Sequence, residues 1–328
     1  MILVTGGAGF IGSNLVAALE ERGLPDIVVC DRLGTDEKWR NLGKRELAAL
    51  IAPEALKDFL ANQPRGLDAI FHLGASSSTT ETDADFIIAN NFALSQMLWE
   101  WCTATGTRFI YASSAATYGD GSAGFDDDGT PAGLAKLQPL NAYGWSKQLF
   151  DRRVARLIER GAPHPPQWAG LKFFNVYGPN EYHKGGQKSV VAQIFPRAQA
   201  GVACHLFRSH RDGIPDGGQK RDFVYVRDSV AQMLWLYDHP EVSGIFNAGS
   251  GQARSFADLA TAVYSALGMK PNIHYVDTPV EIRDKYQYFT EARMERIRTA
   301  GFTAPPTSLE DGVRDYVQNF LAGPDPYR

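Results

Sequence analysis

A glycine-rich segment near the N-terminus limits the possible folds of this chain more than any other part of its sequence. Thr5-Gly6-Gly7-Ala8-Gly9-Phe10-Ile11-Gly12 follows a short apolar run and precedes residues of helical period. In such a segment Gly6 can turn tightly, Gly9 lets the backbone approach a pyrophosphate, and Gly12 lets the helix pack closely. The free N–H groups at the helix start then face a diphosphate. We expect a dinucleotide-binding unit here, with a purely structural turn as the alternative.

Short apolar runs alternate with longer segments of helical period through the first half of the chain. Strands are predicted at Ile2–Thr5, Ile27–Asp31, Asp68–Leu73, Phe109–Ser113 and Leu171–Phe174. Helices are predicted to begin near Phe10, Asp83 and Tyr143. This alternating order predicts an α/β fold with a Rossmann-type, doubly wound parallel sheet.

The pattern changes after Asn175, where glycine, proline and charged residues become frequent. One later segment, Val242–Ala248, is typical of a buried strand that returns to the sheet. Amphipathic helices are predicted around Ser255–Leu267, Thr290–Thr299 and Ser308–Leu321. We expect residues 1–174 plus about 227–250 to form the Rossmann domain that binds the dinucleotide. Residues from about 175–226 and 251–328 would form a smaller C-terminal substrate-binding lobe.

Composition narrows the classes of partner and compartment. Lys and Arg number 33 against 37 Asp and Glu, so no broad positive field exists to hold nucleic acid or an anionic membrane. The three cysteines, Cys30, Cys102 and Cys204, lie far apart, which predicts neither disulfides nor a metal site. The chain shows neither a leader pattern nor the roughly 18 consecutive apolar residues of a membrane span. We expect a soluble, cytoplasmic protein without nucleic-acid or membrane partners.

Charged residues after the second predicted strand bear on the choice of dinucleotide. Asp31 lies about twenty residues beyond the glycine segment, where a carboxylate accepts hydrogen bonds from the adenosine ribose. Arg32 and Lys38 follow it and could neutralise a 2′-phosphate. An acid alone favours NAD and nearby cations favour NADP, so both cofactors remain possible. The two cations could also belong to a solvated surface.

Tyr143-Gly144-Trp145-Ser146-Lys147 provides candidate acid/base groups at a predicted helix start. Residues four apart share a helical face, so the Lys147 ammonium would lie beside the Tyr143 phenol and lower its pKa. Tyr143 would then act as a base near neutral pH. The alternative is a structural tyrosine beside an exposed lysine, since this spacing is common by chance.

Small and hydroxyl residues end two predicted strands at the edge where ligands of open α/β sheets bind. Ser113 and Ser114 end the fourth strand, and one of them could bond a substrate oxygen while the other serves only the turn. The third strand leads into Leu73-Gly74-Ala75-Ser76-Ser77, which could lie against a cofactor together with Asn91. A tight turn and a helix-surface amide are the alternatives for this second group.

These motifs, with Asn175-Val176-Tyr177-Gly178-Pro179, resemble the extended short-chain dehydrogenase/reductase superfamily of nucleotide-sugar enzymes. Within it, four shorter strings are similar to the ADP-L-glycero-D-manno-heptose 6-epimerases, which supply heptose for bacterial lipopolysaccharide. These strings are Ser77–Glu81, Ala112–Gly119, His183-Lys184-Gly185 and Lys220–Val226. The similarity runs from Met1 to about Leu321.

The resemblance implies a homo-oligomer, a pentamer, that holds bound NADP. It also implies an enzyme that oxidises the C6″ hydroxyl of an ADP-heptose and returns the hydride to the opposite face of the sugar. It implies that Ser114 orients the substrate and that Tyr143 and Lys184 are the two acid/base groups. Lys147 would tune Tyr143 and bind the nicotinamide ribose.

The resemblance also implies two sets of binding residues. The cofactor-binding residues would be Gly6, Gly9, Phe10, Ile11, Gly12, Asp31, Arg32, Lys38, Leu73, Gly74, Ala75, Ser76, Ser77, Asn91, Tyr143, Lys147, Val176 and Lys184. The substrate-binding residues would be Ser114, Asn175, Ser189, Phe207, Arg208, Ser209, His210, Arg221 and Tyr286. A guanidinium such as that of Arg221 can pair bidentately with a diphosphate.

Three departures from the family pattern and three alternative functions remain. A family lysine falls near Pro53, a family histidine falls on Gln193, and the segment 211–219 is longer than the family loop. A 4,6-dehydratase would carry an acidic pair where this chain has Ala115-Ala116-Thr117. A UDP-hexose 4-epimerase would use the same triad, and a non-catalytic NADP sensor would be expected to lose part of it.

Overall fold

The computed structural model describes residues 1–24, 26–63, 66–283 and 286–328, and its centre is a seven-stranded parallel sheet. The strands within these ranges are β1 Ile2–Thr5, β2 Ile27–Cys30, β3 Ala49–Ile51, β4 Ala69–His72, β5 Arg108–Ser114, β6 Trp168–Phe173, β7 Asn175–Tyr177, β8 Cys204–Phe207, β9 Lys220–Tyr225, β10 Gly244–Ala248, β11 Ala253–Ser255 and β12 Ile273–Val276. The central sheet has the order β10-β6-β5-β4-β1-β2-β3.

Helices connect and flank these strands. They are α1 Phe10–Glu21, α2 Leu56–Ala61, α3 Ala84–Ile87, α4 Leu94–Thr105, α5 Pro131–Ala135, α6 Ala142–Glu159, α7 Val190–Gln199, α8 Val226–Asp238, α9 Phe256–Ala266, α10 Val280–Arg283, α11 Glu295–Thr299 and α12 Leu309–Tyr316. Within the described ranges, none of the helices has the length and apolar character needed to cross a membrane.

The strand order places the candidate site at one position of the sheet edge. β1 pairs with β2 on one side and β4 on the other, so the direction of winding reverses between β1 and β4. A crevice opens beyond the carboxyl ends of the strands at such a reversal. Strands β1, β2, β4, β6 and β10 are buried along their whole length, as expected for a parallel sheet covered on both faces.

A second hydrophobic cluster lies outside the central sheet. It is built around α7, α9 and α12 together with the three-stranded sheet β11-β9-β7 and the pair β12-β8. Helix α9 begins at a capping box in which Ser255 and Asp258 bond each other's backbone amides. The chain therefore packs two separate apolar clusters. Strand β9 belongs to the second cluster and runs directly into α8, which packs mainly in the first.

The α/β class, the parallel sheet and the return of Val242–Ala248 as β10 are confirmed, with β10 paired to β6. The predicted helix Thr290–Thr299 is wrong in its first half, because only Glu295–Thr299 is helical. Before it, the Ala292 amide donates to the buried Asp222 carboxylate and the Asp222 amide donates to Thr290, which holds this backbone extended. Helices α7 and α8 and the two smaller sheets are not among the elements that the sequence pattern predicts.

Candidate active site

The glycine segment forms the floor of the crevice between β1 and β4. Gly6 has a φ of +70°, and a Cβ there would lie 2.6 Å from the Gly74 nitrogen at the end of β4. A Cβ on Gly12 would lie 2.1 Å from the Gly6 carbonyl oxygen. Both contacts are too short for any side chain, so these positions require glycine for the reason that the sequence suggested.

The start of α1 offers free donors to an anion. Gly9 caps this helix without a side-chain hydrogen bond, and the first N–H groups of a helix have no intrahelical acceptor. Beside the turn, Asn41 donates to the Ala8 carbonyl at 2.9 Å, while its own buried Oδ1 has no hydrogen-bond partner among the described residues. Uncapped amides and an unpartnered buried acceptor next to a side-chain-free turn fit a bound dinucleotide. Asn41 is a residue that the sequence patterns do not single out.

The carboxylate at the end of β2 is held by its own loop. Asp31 accepts from the Ala8 amide at 2.9 Å and from the Lys38 ammonium at 2.7 Å. Arg32 points outward and pairs with Glu54, with an Nη2–Oε1 distance of 2.5 Å. Both cations that could meet a 2′-phosphate therefore face carboxylates, and Glu54 follows Pro53, where the family lysine was expected.

The loop after β4 is tied to α6 rather than free. Asn91 accepts from the Ser76 amide at 2.8 Å and donates to the Ser76 carbonyl and to the Ser146 hydroxyl, both at 3.0 Å. His72 lies beneath it between Thr5 and Ser95, and burial lowers the pKa of His72 to about 3. Asn91 thus uses its side chain to shape the loop formed by residues 73–77.

The two serines that end β5 face different ways. Ser113 is buried and donates to the Asp151 carboxylate at 2.6 Å. Ser114 instead caps the short 3₁₀ turn Ala115–Tyr118, and its side chain lies close enough to Tyr143 to favour the phenolate. The alternation of the strand therefore directs Ser114, the serine that the resemblance implied, away from the side on which Ser113 bonds Asp151.

Helix α6 brings Tyr143 and Lys147 to the same edge. It begins at Asn141, whose side chain accepts from the Gly144 amide at 2.8 Å. The Lys147 ammonium donates to the Ala112 carbonyl at 2.9 Å, and burial lowers the pKa of Lys147 to about 8.

One expectation about this pair needs correction. Desolvation raises the pKa of Tyr143, and the opposing influence comes from Ser114 rather than from Lys147. The expected lowering of the Tyr143 pKa by Lys147 is therefore not what the structure shows. The physical reason is that the Lys147 ammonium is directed to the Ala112 backbone carbonyl rather than to the phenol.

The segment Tyr182–Gln187 brings Lys184 next to Phe10 of the glycine segment. The Lys184 ammonium lies 5.3 Å from the centre of the Phe10 ring. Burial lowers the pKa of Lys184, and the buried Glu181 opposes this shift.

Ser189, expected to contact substrate, is committed to contacts within the protein. Its hydroxyl donates to Glu181 at 2.6 Å, and its Oγ caps α7 by accepting from the Ala192 amide at 3.3 Å. Glu181 also accepts from the Ser189 amide at 2.5 Å. The side chain of Ser189 therefore anchors the Lys184 segment to α7, because the Ser189 hydroxyl donates a hydrogen bond to the buried carboxylate of Glu181.

Arg221 lies next to two aromatic rings, those of Phe256 and Tyr286. Its guanidinium is buried, lies 5.6 Å from the Phe256 ring centre and 5.3 Å from that of Tyr286, and pairs with no carboxylate among the described residues. Tyr286 in turn packs edge-on against Phe207. A buried, desolvated guanidinium between rings is suited to a phosphate group.

The remaining residues expected to contact substrate lie on more exposed segments. The Arg208 guanidinium is 3.9 Å from Asp216 and 3.8 Å from Asp277. The Ser209 hydroxyl donates to the Arg211 carbonyl, and the His210 amide donates to the Tyr288 hydroxyl. Asn175 is exposed at the start of β7, next to the half-buried Val176.

Among the described residues, the side chains form neither a metal-binding cluster nor a disulfide. Across the described ranges, no group of three or more His, Cys, Asp or Glu side chains is arranged to hold a metal ion. Cys30, Cys102 and Cys204 are buried free thiols.

Known proteins are similar to this chain in sequence and in fold. A family model described as the NAD dependent epimerase/dehydratase family matches residues 2–249. A curated relative from Nitratidesulfovibrio vulgaris (strain DP4), named ADP-L-glycero-D-manno-heptose-6-epimerase, is 50% identical over 332 residues and covers 100% of both chains. The crystal structure of Helicobacter pylori ADP-L-glycero-D-manno-heptose-6-epimerase is 28% identical, with a TM-score of 0.79 over 97% of this chain and 95% of that chain. The UDP-glucose 4-epimerase of Thermus thermophilus, solved in complex with NAD, is 25% identical, with a TM-score of 0.70 over 95% and 96%.

Proposed function

The chain belongs to the NAD dependent epimerase/dehydratase family, and we propose that it interconverts ADP-D-glycero-D-manno-heptose and ADP-L-glycero-D-manno-heptose. The observation that carries this proposal is the 50% identity, over the full length, to a relative named for that activity. Similarity over the full length matters because the C-terminal substrate-binding lobe would select the sugar, whereas the redox step would need mainly the Rossmann domain. A UDP-hexose 4-epimerase is the alternative that the shared triad allows.

The family uses a nicotinamide dinucleotide, and we infer that here it is NADP. The residues that would hold the diphosphate are those of the glycine segment, and Asp31, Arg32 and Lys38 would hold the adenosine ribose and its 2′-phosphate. The loop 73–77, Asn91 and Val176 would line the rest of the crevice. When bound, the nicotinamide supplies an acceptor and then a donor of hydride at C6″ of the sugar.

The side chains of the crevice would handle the proton. Ser114 would bond the C6″ oxygen, and Tyr143 would take the hydroxyl proton in its phenolate form, which the neighbouring Ser114 favours. Lys147 supports this step as a fixed positive charge, bonded at 2.9 Å to the Ala112 carbonyl. After the end of the sugar has rotated, Lys184 returns a proton to the oxygen from the other side.

The second lobe would hold the ADP-sugar. Arg221 would pair with the diphosphate, since its guanidinium is buried and desolvated. Phe207, Tyr286 and the stretch 208–210 would surround the rest of the ligand, with Asn175 at the boundary. We propose that residues 1–174 plus about 227–250 bind the cofactor and that residues from about 175–226 and 251–328 bind the substrate. We further propose a cytoplasmic homo-oligomer, a pentamer, as the resemblance implies.

The proposed activity is tested by incubation with ADP-D-glycero-D-manno-heptose and NMR of the product at C6″. We expect inversion at that carbon and no other change in the sugar. UDP-glucose and UDP-galactose serve as competing substrates in parallel reactions. Inversion at C4 of a UDP-hexose, with the heptose unchanged, would instead establish the 4-epimerase.

The cofactor assignment predicts that protein denatured after purification releases more NADP than NAD. Arg32 must leave Glu54 to meet a 2′-phosphate, and an exposed ion pair such as this costs only about 0–1 kcal/mol to break. Arg32→Ala should therefore weaken NADP binding more than NAD binding, and Glu54→Gln should strengthen NADP binding by releasing Arg32. Binding titrations with both dinucleotides measure these effects.

Arg22→Ala is the matched control, because Arg22 is also an exposed arginine and pairs with Asp238. It should leave the affinity for both dinucleotides unchanged. Release of mainly NAD, together with equal losses for both dinucleotides in Arg32→Ala, would contradict the NADP assignment.

A further inference from the structure

A buried ion pair lies directly beneath the candidate catalytic groups. The Lys172 ammonium on β6 lies 2.8 Å from the Asp151 carboxylate on α6, and the two side chains are 1% and 0% exposed. Such pairs add little stability compared with apolar residues of the same volume, because desolvation of two charges offsets their attraction. A role other than stability therefore needs to be sought for them.

The hydrogen bonds of this pair reach the elements that carry Ser114, Tyr143 and Lys147. Asp151 accepts from the Tyr111 hydroxyl at 3.0 Å and from the Ser113 hydroxyl at 2.6 Å, both on β5. Lys172 donates to the Thr117 hydroxyl at 2.7 Å, in the turn that Ser114 caps. Helix α6, strands β5 and β6 and this turn thus meet at one buried carboxylate and one buried ammonium.

These contacts lead directly to Lys147. Tyr111 and Ser113 flank Ala112, whose carbonyl accepts the Lys147 ammonium. Asp151 lies one helical turn beyond Lys147 on the same face of α6. On the other side, Thr117 donates to the Ser114 carbonyl at 2.8 Å. The same pair therefore restrains the backbone that binds Lys147, the helix that carries it, and the residue expected to orient substrate.

We propose that Asp151 and Lys172 form a positioning pair that holds Lys147 and Tyr143 on α6 in register with Ser114 on β5. The proposal rests on the proposed function, since it assigns these two residues to the same reaction. Neither residue reaches the crevice, so both act through the groups that they hold.

Charge adds a second effect of the same carboxylate. The ionisable groups that interact electrostatically with Lys147 are Asp151 on its own helix and His72 on β4. Lys172 on β6 pairs with the same Asp151, and Tyr143 lies one turn earlier on α6. Burial lowers the pKa of Lys147 to about 8, and Asp151 opposes that shift. His72 is neutral near pH 7, because burial and Lys147 lower its pKa to about 3. Loss of the carboxylate should therefore lower the pKa of Lys147 further, and Lys147 would lose its proton at a lower pH.

The test is the double variant Asp151→Asn/Lys172→Met, which leaves no unpaired buried charge. We expect kcat to fall by about tenfold to a hundredfold with little change in KM, because small misplacement of reacting groups costs that much. Asp151 raises the pKa of Lys147 and Lys172 is not among the groups that shift it, so NMR of isotopically labelled lysine should show Lys147 titrating at a lower pH in the double variant than in the parent. The alkaline limb of the kcat profile should move in the same direction.

Val154→Ala is the matched control, since Val154 is buried on the same helix and its apolar side chain forms no hydrogen bond or ion pair with either charge. It should lower the melting temperature and leave the Lys147 titration unchanged. If the double variant shows that same pattern, or an unchanged kcat, the pair is only structural and the proposal is wrong. The lysine titration needs no substrate, so a parent protein inactive on ADP-heptose would count against the proposed function alone.

A second variant covers failure of the first to fold. Tyr111→Phe/Ser113→Ala keeps both charges and removes two of the hydrogen bonds to Asp151. A fall in kcat of about tenfold would support the positioning role. A kcat within about twofold of the parent would overturn it.

Discussion

Replacing Tyr143 by Phe is expected to lower turnover of the ADP-heptose by about 10²–10⁴-fold, the usual contribution of a positioned acid/base group. The phenol hydroxyl is the group at the start of α6 that lies beside Ser114, and only one oxygen atom is removed. The fold and the bound dinucleotide should be retained, because the ring stays in place. Turnover is measured with saturating substrate, and cofactor content is measured on the same sample.

Tyr237→Phe is the control for this change. Tyr237 donates its hydroxyl to Asp68, outside the crevice, so the same atom is lost without any effect on the reaction. We expect near-parental turnover for this variant. Near-parental turnover in a folded Tyr143→Phe protein would remove Tyr143 from the mechanism.

Replacing Lys184 by Met should lower kcat strongly, by about 10²-fold or more, with a modest change in KM. Inversion at C6″ requires the hydride to leave one face of the sugar and return to the other, so the oxygen changes position while the ketone exists. A tyrosine on a rigid helix serves one of these positions. Lys184 approaches from a different segment, and its position over the Phe10 ring keeps it partly desolvated, which lowers its pKa.

A steering role for Lys184 would give a different result. Loss of a steering charge raises KM and makes the rate less sensitive to salt, with kcat preserved. Lys188→Met is the control, because it removes the same charge four residues further along the chain. A Lys184→Met protein with unchanged kcat would leave Tyr143 as the single acid/base group of this site.

The parts of this protein that the sequence predicts correctly are those that depend on local chemistry. Gly6 and Gly12 are recognisable because turn geometry and helix packing exclude a Cβ at those positions. The buried parallel strands appear as short apolar runs, since both of their faces are covered. The start of α6 is likewise close to its predicted place, because its capping residue and its first turn are adjacent in sequence.

The errors and omissions occur where distant segments meet. The extended backbone before α11 depends on Asp222, about seventy residues earlier, so the helical period of Thr290–Thr299 is misleading. Ser189 stays a predicted substrate contact, and the sequence does not show that its hydroxyl donates to the buried Glu181. Neither partner can be read from the segment itself, because only the tertiary fold brings them within hydrogen-bond distance.

The candidate site divides in the same way. Motif and spacing were enough to select Tyr143 and Lys147 as a helical pair. The fold decided that Ser114 rather than Ser113 faces the crevice, that Arg32 lies against Glu54, and that the Lys147 ammonium bonds the Ala112 carbonyl. Sequence periodicity places a side chain on a face of its own element. Its hydrogen-bond partner and the cost of its burial depend on which other elements cover that face, and those are determined only when the chain has folded.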